Sequence, residues 1–202
     1  GNILDVKSVS DLCQKYNSLF HTDAVQAVGH YKIDLKSIKI DFLSSAGHKF
    51  HGPKGVGFTY INKLTKIKSF ICGGPQERGL RAGTESVHNI VGMTKALEIA
   101  DRNMEQEAKY VLSIKEYMIK SLRKLFPDIH FNGESGDIQK STYTILNVCF
   151  PISNEKAAML DFNLDLKGIA CSKGSACQSG SSEGSHVLSE IQSEDQKKFP
   201  SV

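Results

Sequence analysis

The chain has 202 residues, 40% of them hydrophobic, and a formal net charge of +3. That suffices for one large domain or two small ones around a real core. Scattered basic residues and few aromatics argue against a nucleic-acid groove, no apolar run is long enough to cross a bilayer, and the N-terminus shows no signal-peptide pattern.

Val9 to Tyr16 reads as a short helix capped by Ser8 or Ser10. Ser18 to Thr22 reads as a strand that delivers Asp23, and Asp23-Ala24-Val25-Gln26-Ala27-Val28-Gly29 as a turn stopped by glycine. A carboxylate at a strand end can pair with a protonated ring nitrogen, and the Gln26 amide can bond a neighbouring phenolic oxygen. Helix capping is the commoner use of such an aspartate. Ile40 to Ser44 reads as a second strand, followed by Ser44-Ser45-Ala46-Gly47-His48-Lys49-Phe50-His51-Gly52-Pro53-Lys54-Gly55. Lys49 thus follows an apolar run, on a loop of small residues between two histidines. A lysine at the end of a buried strand loses hydration, which disfavours its charged form and frees the amine for Schiff-base chemistry. The plainer alternative is a surface lysine beside a histidine. His48 is then an anion ligand or merely a polar neighbour, and the glycines permit close backbone approach or make ordinary turns.

Val56 to Ile61 alternates like a third strand and Ile67 to Ile71 reads as a fourth, before Gly73-Gly74-Pro75. Polar groups recur at the carboxyl ends of these strands, where open α/β sheets bind ligands. Arg78-Gly79-Leu80-Arg81-Ala82-Gly83-Thr84-Glu85 sets two arginines and a hydroxyl just before a helix. That composition suits phosphate, or an N-cap by Thr84 with solvated arginines. From Ser86 to about Phe126 apolar residues recur at helical spacing, as one long helix or two, ended by Pro127. A smaller α+β unit follows: strands at Ile129 to Asn132, Thr142 to Phe150 and Gly168 to Cys171, a helix near Asn154 to Phe162, and another from about Ser185. The expected division is 1–105 and 106–202.

Five cysteines without C-x-x-C spacing argue for reduced thiols in a cytoplasmic setting. Cys72, Cys149 and Cys171 read as core. Cys177 lies in Gly174-Ser175-Ala176-Cys177-Gln178-Ser179-Gly180, a composition that reads as a flexible loop exposing an accessible, mobile thiol. That thiol is either a travelling nucleophile or inert.

Together these segments resemble the cysteine desulfurases, NifS-like group I members of the class-V aminotransferases with pyridoxal-phosphate fold type I. Phe20 to Gly29 resembles the cofactor-ring segment, Ser44 to Gly57 the Schiff-base lysine segment, Gly73 to Thr84 the phosphate stretch, and Gly174 to Cys177 the persulfide loop. The resemblance implies an α/β fold: part of a mainly parallel large-domain sheet, then a smaller α+β C-terminal domain. It implies pyridoxal 5'-phosphate as cofactor and no metal. Lys49 would form the Schiff base and later move protons, and Asp23 would keep the pyridine nitrogen protonated. Gln26 would bond the phenolic oxygen, and His48 the phosphate. Thr84 would reach the phosphate of a neighbouring subunit, which makes a homodimer. Cys177 would take sulfur from L-cysteine as a persulfide, releasing alanine, and an acceptor or iron–sulfur scaffold protein would collect it. Nucleic acid and membrane have no part in this. The rival expectations are a selenocysteine lyase-like enzyme and a non-catalytic scaffold fragment of the same fold. Ala46 stands where many members carry a hydroxyl, and Lys173 where serine is frequent. The chain begins and stops inside family segments, so this piece alone is expected to bind the cofactor poorly and turn over little.

Overall fold

The computed structural model describes residues 1–152, 159–172 and 185–202. The chain divides into two compact units, Asp5–Ala108 and a second formed by Gly1–Leu4 with Lys109–Val202.

The first unit begins with α1 (Val6–Lys15). Its cap is Asp5 and neither predicted serine, because one carboxylate takes both the Ser8 amide (3.0 Å) and the Ser8 hydroxyl (2.7 Å). Ser10 turns inward instead and donates to the Lys39 carbonyl at 2.7 Å. Val6, Val9 and Cys13 share the inner face of α1 and pack on the core.

Three strands follow: β1 (His21–Asp23), β2 (Phe42–Ala46) and β3 (Gly57–Ile61). β2 is central, parallel to β1 and antiparallel to β3. Asp23 is registered against Ser44, and Ala46 against Gly57. Alternation along β2 buries Leu43 and Ser45 on one face. Leu43 joins Phe20, Val28, Ile40, Phe50 and Met93 in the core cluster.

The strand expected at Ile67 to Ile71 does not form. Phe70 is 98% exposed, and among the described residues no strand pairs with the segment, so its apolar run gains neither ladder hydrogen bonds nor burial. The helical stretch is one helix, α2 (Val87–Leu125). Its residues up to Ala108 belong to the first unit, where Met93 and Ala100, two turns apart, enter the core.

In the second unit β4 (His130–Phe131) pairs antiparallel with β5 (Val148–Cys149). The long strand expected over Thr142 to Phe150 shrinks to β5. Upstream of it the chain is held by side chains: Lys115 Nζ donates to Ser141 Oγ at 2.7 Å and to the Thr142 carbonyl at 2.8 Å. Two short helices follow, α3 (Leu160–Leu166) and α4 (His186–Ile191), the latter capped by the Ser185 hydroxyl. The start of the predicted helix near Asn154 lies outside the described residues. No strand forms at Gly168 to Cys171. Gly168, at φ +74, closes α3, with its amide on Asp165 O and that of Ile169 on Leu164 O.

Of the three cysteines read as core, only Cys149 is buried. Cys72 and Cys171 are exposed, because the strands meant to bury them are not there. Among the described residues no helix is long and apolar enough to cross a membrane.

Candidate functional site

β1 and β2 run parallel, so both end at the same edge of the sheet. β1 delivers Asp23 there and the chain turns at once. The Ala24 amide donates to the Ser44 carbonyl at 2.9 Å, and the Val25 amide to Asp23 Oδ1 at 2.9 Å. Asp23 is exposed, and its Oδ2 has no partner among the described residues. Gln26 lies exposed on the turn that follows. Gly29 closes that turn at φ +83, and a Cβ there would lie 2.6 Å from Phe50 Cβ. Only glycine lets the turn pack this closely.

β2 leads straight into a 3-10 turn, Gly47–Phe50. Phe50, 1% exposed, anchors it in the core, while His48 is exposed and Lys49 half-buried. The Gly47 amide donates to the Val56 carbonyl and the Gly52 amide to the Gly47 carbonyl, both at 2.9 Å. His51 takes a left-handed φ of 67° to complete the loop. Lys49 Nζ and the His48 ring have no hydrogen-bond partner among the described residues. The fold therefore brings Asp23, Gln26, His48 and Lys49 to one strand edge, on two consecutive strand-to-turn junctions.

Thr84 sits on a different segment. The chain passes through the 3-10 turn Gln76–Gly79, with Glu77 and Arg78 at positive φ, and the Gly83 amide bonds Gln76 Oε1 at 3.1 Å. Thr84 is exposed and does not cap α2, whose first i+4 bond runs from the Ile90 amide to the Ser86 carbonyl. No hydrogen bond ties Thr84 to the strand edge. Cys177 lies outside the described residues.

Two further histidines touch the segments that lead to this edge. His21, the first residue of β1, places Nε2 2.9 Å from Oγ of Ser44 in the middle of β2. His21 stands two residues before Asp23, and strand alternation alone puts both on one face. His30 Nε2 lies 3.1 Å from the Lys49 carbonyl. Nothing local in the sequence signals that contact.

Residues 1–192 match the family model Aminotransferase class-V. The chain belongs to the class-V aminotransferases. Among its class-V relatives, cysteine desulfurase IscS of Clostridium botulinum is 43% identical over 191 residues, 95% of this chain and 47% of that protein. A solved NifS-like protein superposes over the full chain, covering 52% of its own length, with TM-score 0.82 and 33% identity. A structure titled SspA in complex with cysteine superposes with TM-score 0.75 and 28% identity, covering 100% of this chain and 55% of its own. The chain spans about half the length of the relatives it matches.

Class-V aminotransferases use pyridoxal phosphate, and the donor set at the strand edge fits it. An amine is present for the aldehyde, a carboxylate with one free oxygen for a ring N–H, an amide for the phenolic oxygen and an imidazole for phosphate.

Proposed function

We propose that this chain is part of a pyridoxal-phosphate-dependent cysteine desulfurase, with residues 1–105 a partial cofactor-binding domain and 106–202 a partial small domain. The observation that supports the reading is the parallel pairing of β1 with β2, whose carboxyl ends lead respectively to Asp23 and to the turn that holds Lys49. The cysteine desulfurase relatives support it, and the neighbour solved with cysteine supports L-cysteine as substrate.

When bound, pyridoxal phosphate supplies an aldehyde that condenses with amines and a ring that draws electrons from the substrate α-carbon. Lys49 would hold that aldehyde through Nζ and, once displaced by substrate, take the α-proton on the same atom. The Asp23 carboxylate would keep a proton on the ring nitrogen, Gln26 would donate to the phenolic oxygen, and His48 would bond the phosphate. Thr84 would serve the phosphate of a second subunit, so the complete enzyme is a homodimer. Cys177 as thiolate would attack the substrate sulfur. The new S–S bond forms as the C–S bond breaks, the carbon keeps the electron pair, and a proton converts it to alanine's methyl group. A sulfur-acceptor or iron–sulfur scaffold protein then takes the outer sulfur. Such an enzyme works in the cytoplasm.

Borohydride reduction with pyridoxal phosphate, followed by peptide mapping, tests the reading. Label should appear at Lys49, and its absence even in a chain extended to the relatives' length would refute the assignment. Sulfide release from cysteine should fall to background in Cys177→Ala. Unchanged release would favour a lyase that needs no enzyme persulfide.

A further inference from the structure

We infer that His30 is a positioning residue for Lys49: its Nε2–H donates to the Lys49 carbonyl and fixes the turn that presents the amine. The contact is 3.1 Å between half-buried groups 19 positions apart. A carbonyl oxygen only accepts, so the nitrogen facing it must carry the proton. The neutral Nε2–H tautomer and the imidazolium both satisfy this, and the neutral Nδ1–H tautomer does not.

The fold brings the ring there deliberately. His30 follows Gly29, whose positive φ and missing Cβ let the turn after β1 lie directly against Phe50. The Lys49 turn thus has three restraints of different kinds. Phe50 is buried below it, the Gly47 and Gly52 amides close it through the backbone, and His30 holds its middle carbonyl. Neither the Gly47 nor the Gly52 amide bonds the Lys49 carbonyl, the group that His30 binds. His30, Phe50 and His51 also line a cavity of about 330 Å³ beside α2. A shortened or apolar residue at position 30 therefore removes this donor from the Lys49 carbonyl.

The catalytic consequence rests on Lys49 being the cofactor lysine, but the hydrogen bond does not. Long-range ¹H–¹⁵N NMR of the ¹⁵N-labelled chain reads the His30 tautomer without any substitution. Nε2–H is expected, and a neutral Nδ1–H ring overturns the inference. His30→Gln keeps an N–H within reach of the carbonyl, and His30→Leu removes it. With global stability matched by urea denaturation, Gly52 amide exchange should rise about fivefold in His30→Leu and return to the parent rate in His30→Gln. Equal exchange in the two variants overturns the inference. Reductive labelling with pyridoxal phosphate is run in parallel. No label at Lys49 in the parent chain removes the functional reading, while tautomer and exchange still decide His30.

Discussion

Asp41 holds the base of the sheet together. It is 5% exposed, and its carboxylate takes the Phe20 amide on one oxygen and the Thr65 hydroxyl on the other, both at 2.9 Å. Asp41→Ala should leave both donors unpaired and cost about 2–4 kcal/mol, measured by urea unfolding. Ser45 presents the reverse case. Its hydroxyl is buried on the core face of β2 with no partner among the described residues. Ser45→Ala removes a desolvated polar atom and little volume, and should raise stability by about 1 kcal/mol. A loss of stability would show that the hydroxyl is satisfied in solution. Gly29→Ala meets both a positive φ and the Phe50 side chain, so roughly 2 kcal/mol or more should be lost, along with the packing behind Lys49.

At the scale of elements, α2 carries a buried lysine into the second unit. Lys115 is 5% exposed and bonded to Ser141 and the Thr142 carbonyl. Desolvation holds its ammonium below the ordinary lysine value, against a smaller opposing pull from Asp137. Between that depressed value and the ordinary one the unfolded chain binds more protons than the native state, so this group makes stability rise with pH there. Burial raises the Cys149 thiol and contributes the opposite slope just above its ordinary value. Subtracting the alkaline stability profile of Lys115→Met from that of the parent cancels the cysteine. The difference should rise with pH, by at most about 1.4 kcal/mol per unit. A flat difference would mean that the lysine titrates normally. Lys115 also takes the Thr142 carbonyl, and the Thr142 amide goes to the Gly1 carbonyl, so neither backbone group of Thr142 is used in a ladder with β4.

Across the molecule, large apolar side chains stand in the open. In the first unit Leu64 is 89% exposed, Phe70 98%, Val87 65% and Val91 62%. A chain spanning about half of its relatives' length that shows this much apolar surface should self-associate. Sedimentation at micromolar concentration should find species larger than the 22.2 kDa monomer, and Leu64→Ser combined with Phe70→Ser should shift them toward it. A parent chain that stays monomeric and binds no hydrophobic dye would contradict this.

Local chemistry determined much on its own. The Asp23 turn, the lysine loop and the long amphipathic run of α2 were legible because glycine punctuation and apolar periodicity act over a few residues. Asp23 and Lys49 could each be singled out, but that their segments leave the same end of the sheet could not be read from either, since the parallel pairing of β1 with β2 joins residues about twenty positions apart. Strands at 67–71 and 168–171 failed for the same reason: a strand exists only where another edge accepts its hydrogen bonds, and no short window reveals that edge. His30 on the Lys49 carbonyl, Asp41 at the foot of the sheet and Lys115 under Ser141 are likewise products of tertiary structure. Each is a polar group whose burial is tolerable only once distant backbone has arrived to bond it.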